Sequence, residues 1–388
     1  MTVNRQRVIK AMNLETPDRV PLMCQFSLGF MMNQLKPDPV SFFYDMKTFA
    51  DGLIQLRETF RFDGILVSLH GHSDDWKKGL LRTEKIESGK KILHFEDRTE
   101  LHSWMDLPMI QFLKPRQAKS IEDIDVDRDI PCEIDYIPVS GNLCFRLNRE
   151  KLYSIFDYIH ECVGDQFSIH GEITSPFDYF LDLLGYENAL MALMLEPEKC
   201  KLILKRYSEG VKEIATGMCL KNIDAIKISS PFAGMGFISP DLYGEFVLPY
   251  EREIITAIRK QGKHVYIHTC GYISDRLELM CESGASGLEC LDPKPVGNVD
   301  LEDAFRRIGD QMFIKGNIDS VNTLLASDDE KLRKDVLKII ETGKTMGKGF
   351  ILSTACSIAP LVTKERILML SEMISEYGNY NEQLIMNN

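Results

Sequence analysis

Lys263-His-Val-Tyr-Ile-His268-Thr-Cys270-Gly271 joins an apolar run, Val265 to Ile267, to a histidine and a cysteine two positions apart. A short apolar run of this kind reads as a strand buried on both faces, as in a parallel sheet. His268 and Cys270 then stand where that strand ends. Much later, Ile351-Leu-Ser-Thr-Ala-Cys356 repeats the arrangement, an apolar run followed by a thiol. One imidazole and two thiolates form a three-ligand zinc set with one position open, which is how catalytic zinc differs from structural zinc. Imidazole and thiolate also suit zinc over harder cations. The competing reading makes Cys270 and Cys356 ordinary core cysteines, since free cysteine is among the most buried residue types.

Working outward, the same kind of run recurs at Val20–Phe26, Asp63–Leu69, Gln166–Glu172, Ile223–Ser230, Ser286–Leu291, Gln311–Asn317 and Lys348–Thr354. Amphipathic stretches separate the later runs, the mark of βα units. Ser239-Pro240 reads as the cap and first position of a helix running to Gln261-Gly262. Ser274 reads as the cap of a helix striped by Leu277, Met280 and Cys281. With Lys263–His268 there are eight strands, which predict an α/β fold of the (β/α)8 TIM-barrel type, one domain over residues 1–388. Residues 71–165 become an insertion after the second strand that caps one barrel end. Within it, Lys85-Ile86 and Lys91–Phe95 flank Glu87-Ser-Gly-Lys90 as a hairpin.

Chemistry in such a barrel belongs at the carboxyl ends of the strands. The polar residues there are Ser68, His70, His170, Glu172, Ser229, Ser230, His268, Cys270, Glu289, Asn317, Ser353 and Cys356. Glu289 reads as a fourth, displaceable ligand, as a partner of a ligand, or as a solvated rim residue. Its neighbour Cys290 should point the other way, into the packing layer, because strand side chains alternate. Glu172 and His70 are the acid–base candidates. Ser68, His72, His170, Tyr266 and Asn317 are the substrate-pocket candidates. For His70 and His72 the alternative is a solvated loop that opens the insertion.

Hydrophobic residues make up 44% of the 388, enough for a sizeable core. The net charge of -12 and pI near 5.3 argue against nucleic acid as a partner. Ten cysteines without regular spacing give no disulfide framework. No apolar run approaches the roughly 20 residues of a membrane helix, and Met1-Thr-Val-Asn-Arg lacks a secretory h-region, so a cytoplasmic protein is expected. Thr342-Gly-Lys-Thr345 is no P-loop, because Lys338 occupies the first glycine position and a helix precedes it.

Thr16-Pro-Asp-Arg-Val-Pro21, Ser239-Pro240 with Phe246 to Pro249-Tyr250, and Gly316-Asn-Ile-Asp319 together resemble the uroporphyrinogen decarboxylase superfamily over essentially the whole chain. Within it, His268-Thr-Cys270-Gly271 and Cys356 in Ser353–Pro360 are similar to the zinc pattern of corrinoid-dependent methyltransferases. The decarboxylase hallmarks, an arginine-bearing segment and a Phe-Ser-Asp-Ile strand end, are replaced by Leu22-Met-Cys-Gln-Phe-Ser27 and Val67-Ser-Leu-His70. The resemblance implies a barrel with zinc on His268, Cys270 and Cys356. It implies methyl exchange between a small methylated substrate, a methoxylated compound favoured, and cobalt. The methylcobalamin or cob(I)alamin is carried by a separate corrinoid protein, since this chain has no Asp-x-His-x-x-Gly. Zinc would either lower the pKa of a thiol or polarise an ether oxygen. A homodimer is expected at the family level only. The alternative is a metal-independent decarboxylase of the same superfamily.

Overall fold

The computed structural model describes residues 2–114, 119–131, 133–139 and 143–380. Seven parallel strands form one sheet, each hydrogen-bonded to the next in chain order: Gly64–Val67, Ser168–Thr174, Ala225–Ser229, His264–Thr269, Gly287–Cys290, Phe313–Ile318 and Phe350–Thr354. All seven lie where the apolar runs predict them. Nearly every residue in them is buried, which is why they read as continuous apolar runs and not as alternating ones. The α/β architecture is therefore a mostly parallel, curled sheet with helices in the connections.

The expected first strand differs. Val20–Phe26 forms isolated bridges instead of a regular strand, and Pro21, lacking an N–H, limits its ladder. It nevertheless reaches both outer strands of the sheet. Leu352 N donates to Pro21 O at 2.9 Å, Met23 N to Leu352 O at 3.0 Å, and Asp63 N to Leu22 O at 2.8 Å. Asp63, fully buried, ties this junction: Oδ2 accepts from Leu22 N and from Arg19 Nη1, each at 2.9 Å, and Oδ1 accepts from Arg7 Nη1 at 3.2 Å. Arg19 of the Thr16–Pro21 motif is thus a structural partner.

Between the strands Gly64–Val67 and Ser168–Thr174 the chain builds a four-stranded antiparallel sheet from Leu80–Glu87, Lys90–Phe95, Arg98–Ser103 and Met109–Phe112, and a ribbon from Tyr136–Val139 and Leu143–Arg146. The expected hairpin is the first turn of that sheet, with Gly89 at φ +76°. Residues 115–118, 132 and 140–142 of the expected 71–165 insertion lie outside the described residues. The helix expected from Ser239 to Gln261 is two, Pro240–Phe246 and Leu248–Lys260, and Pro249 cannot donate across the break. Arg276, not Ser274, precedes the helix Leu277–Glu282. Among the described residues no helix is long and apolar enough to cross a membrane.

Removing one partner of a buried ion pair leaves the others uncompensated, typically costing about 3–5 kcal/mol. Asp63→Ala is expected to destabilise the protein by about that amount in denaturant unfolding at neutral pH. A loss below about 1 kcal/mol would show that the junction is held by other contacts.

Candidate metal centre

Strand pairing sets the level of each inward side chain. His268 is the lateral partner of Glu289, and Glu289 of Lys315. At this level the interior is charged. Glu289, 1% exposed, is held by the Lys315 ammonium on Oε1 and by His268 Nδ1 at 2.8 Å on Oε2, with Lys227 Nζ 3.6 Å from Oε2. Lys315 also donates to Ser353 Oγ at 3.3 Å. Lys227 reaches Gln25 Oε1 at 2.6 Å and Glu172 Oε2 at 3.3 Å. Burial works against the Glu289 charge, yet Lys315 and Lys227 pull its pKa well below the usual carboxylate range. The carboxylate fixes the imidazole: with the ring proton on Nδ1, the Nε2 lone pair faces the other way.

What Nε2 faces is a group of thiols. It lies 3.3 Å from Cys270 Sγ, and Cys270 Sγ lies 3.9 Å from Cys356 Sγ. His268 also hydrogen-bonds the Cys356 thiol. Two thiolates on a tetrahedral zinc, each about 2.3 Å from it, stand about 3.8 Å apart. The thiol spacing therefore fits the ion, and the donor chemistry does too. Cys290 is the unexpected member: its Sγ, the Cys270 Sγ and a His268 ring nitrogen all lie within 4.8 Å of one another. Alternation failed because Cys290 and Leu291 adopt φ of +86° and +55°, turning the chain at the strand end. Hydrogen bonds from Cys290 and then Cys356 bring the Cys270 pKa down to about 5. The hydrogen bond to Cys270, with burial, pushes Cys356 up to about 12.

The other sequence candidates spread over different depths. His170, fully buried, bridges Ser168 Oγ (3.0 Å) and Tyr266 OH (3.1 Å), and burial pulls its pKa down to about 3. Tyr266 packs with Phe313, Leu66 and Ile351 against Val8, Ala11 and Met12 of the helix Val3–Met12, forming the floor of the sheet. His70 Nδ1 lies 3.3 Å from Leu152 O. His72 packs between Phe49 and Phe145, and neither ring nitrogen has a hydrogen-bond partner among the described residues. Burial lowers these two to about 4 and about 3. Asn317 donates to Leu291 O at 3.0 Å, bracing the turn after Cys290. Ser68 is half-buried beyond its strand. None of these hydrogen bonds or ring contacts is with a thiol of the cluster.

Lys227, Lys315 and Cys290 escaped the sequence reading, as did Asp178 and Glu251. Asp178, in the first turn of the helix Pro176–Leu184, has its pKa raised well above the usual range by burial and by Glu251. Burial brings Glu251 to about 7. A rule asking for charged residues inside apolar runs would have found the lysines.

Above the thiols opens a cleft of about 470 Å³ walled by Pro231, Phe232, Phe237, Tyr272, Val296 and Val321. Cys270 and Cys356 line it, with Asp292 and Asp319, and among the described residues no lysine, arginine or histidine does. The methylcobamide:CoM methyltransferase MtaA of Methanosarcina barkeri is 24% identical over 247 residues, 64% of this chain and 69% of that protein. A uroporphyrinogen decarboxylase of Chlorobium phaeobacteroides is 24% identical over 283 residues, 70% of this chain and 75% of that protein. The solved structure of a methyltransferase from Methanosarcina mazei shares the fold, with a TM-score of 0.71 at 18% identity over 96% of this chain and 98% of that one. The model of the uroporphyrinogen decarboxylase (URO-D) family matches residues 146–377, and the chain belongs to that family.

Proposed function

We propose that this protein is a zinc enzyme that moves a methyl group between a small methylated substrate and the cobalt of a separate corrinoid protein. The observation that carries the reading is the meeting of His268, Cys270 and Cys356 at the base of an apolar cleft. The methyltransferases among the relatives support it. We read the segment Val20–Phe26 as the eighth stave of a closed (β/α)8 barrel, supported by its hydrogen bonds to both outer strands, and residues 71–165 as a cap within the same domain.

Zinc held by His268, Cys270 and Cys356 would supply Lewis acidity. The protein's own part is orientation, water exclusion and proton supply. Glu289, with both oxygens already engaged, acts by aiming His268. The aromatic and aliphatic walls keep water from the reacting carbon. Glu172, whose side chain is 14% exposed and lies 3.3 Å from Lys227, which also approaches Glu289, is the acid–base candidate. His70, His72, His170 and Tyr266 support the scaffold around the site.

The cleft also bears on the substrate. A sulfonated thiol calls for a cation on its wall, as charge-assisted hydrogen bonds to such anions come from arginine or lysine. The walls are apolar and, among the described residues, hold no such cation, which favours a neutral methoxylated compound.

Metal analysis tests the first step: the wild type should carry stoichiometric zinc that Cys270→Ser and Cys356→Ser lose. Undiminished zinc in both variants would sink the proposal. Glu289→Gln should keep the metal with affinity about 10–100-fold weaker, read by chelator competition. For the reaction, the protein is mixed with cob(I)alamin on a corrinoid protein and a panel of methylated compounds. Conversion of cobalt(I) to methyl-cobalt with methoxylated arenes is expected, whereas a decarboxylation that survives complete zinc removal and needs no corrinoid protein would favour the decarboxylase alternative.

A further inference from the structure

Cys290 is a buried thiol in unusual company. Cys24 offers the comparison within the same chain: also fully buried, it meets the backbone and hydroxyl of Thr354 as an ordinary core cysteine does. Cys290, 0% exposed, instead faces the Cys270 thiol, the His268 ring and the Asp292 carboxylate, to which it donates at 3.2 Å. It gets there through a left-handed backbone, φ +86°, followed by a second such residue. Non-glycine residues avoid that region, and they hold it where the surroundings demand it. Without the turn, alternation would have sent this side chain outward behind Glu289.

We propose that Cys290 is the fourth protein ligand of the metal, closing the centre at rest and yielding its place to substrate arriving from the cleft. The inference rests on the zinc reading above. Cys270 is the shared neighbour: His268 Nε2 lies 3.3 Å from its sulfur, Cys356 Sγ 3.9 Å from it, and Cys290 Sγ within 4.8 Å of both Cys270 and the His268 ring, so the four side chains offer the number of donors a tetrahedral zinc takes. Asp292 provides the alternative partner that makes release possible. Its Oδ2 accepts from the Cys290 thiol and, at 2.7 Å, from Gly271 N, and it lines the cleft. On coordination the Cys290 S–H bond breaks, the sulfur keeps the electron pair for the metal, and the proton passes to Asp292 and out through the cleft. Release reverses each step, with no change of oxidation state.

Zinc-edge X-ray absorption on the zinc-loaded wild type decides the ligand count without any substitution. Three sulfurs and one nitrogen are expected, and two sulfurs overturn the proposal while leaving the zinc reading intact. A wild type that binds no metal overturns both. Cobalt(II)-substituted Cys290→Ser and Cys290→Ala give the second test. Each should keep stoichiometric metal and native circular dichroism but lose about one third of the thiolate-to-cobalt charge-transfer intensity, one sulfur of three. Unchanged intensity in both overturns the proposal. Removal of the metal by a chelator should also be about tenfold faster in Cys290→Ala than in the wild type.

Discussion

The Glu289 carboxylate, buried between two lysines and an imidazole, is the interaction on which the centre depends. Taking a carboxylate or an ammonium out of water costs several kcal/mol each, and only close partners offset it. Here the partners come from sheet register: adjacent strands place His268, Glu289 and Lys315 at one level. No member can be removed singly without stranding the rest, so the imidazole is held in one orientation by the same charges that occupy the interior of the sheet. The position of Nε2 under the thiols follows from that.

Short continuous apolar runs made much of this legible. They located seven strands and put His268, Glu289, Glu172 and Asn317 at strand ends. They gave no depth. His170 and Tyr266 share the inward face with Glu172 and His268, but two residues earlier along a strand is about 7 Å deeper, in the floor. His72 read as a pocket residue because a loop histidine beside two aspartates suggests solvent, whereas Phe49 and Phe145 close over it. The lysines were passed over because a charge within an apolar run looks like an exception, when here the charges compensate one another across strands. Cys290 was misplaced because a positive φ on a cysteine leaves no trace in the sequence.

The thiol cluster is also an electrostatic unit. Hydrogen bonds from Cys290 and Cys356 lower the Cys270 pKa and favour its thiolate, while burial and the hydrogen bond to Cys270 raise that of Cys290, and the hydrogen bond to Cys270 and burial raise that of Cys356. Three sulfur donors sharing one anion within hydrogen-bonding distance are geometrically what a soft dication requires, with protons occupying the places of bonds to metal. The donors that the proposed metal would take are thus already gathered at one place.

Two chain reversals complete that arrangement, and one carboxylate serves both. Gly271, at φ +76°, turns the chain just after Cys270, and Cys290 and Leu291 turn it at the end of the next strand. Asp292 Oδ2 accepts from Gly271 N and from Cys290 Sγ, so the turn carrying His268 and Cys270 is locked to the turn carrying Cys290. The same residue faces the cleft, beside Tyr272 and Val296. The boundary between the charged interior and the apolar cleft therefore runs through Asp292, and whatever enters the cleft meets the carboxylate that shares the Cys290 thiol with Cys270.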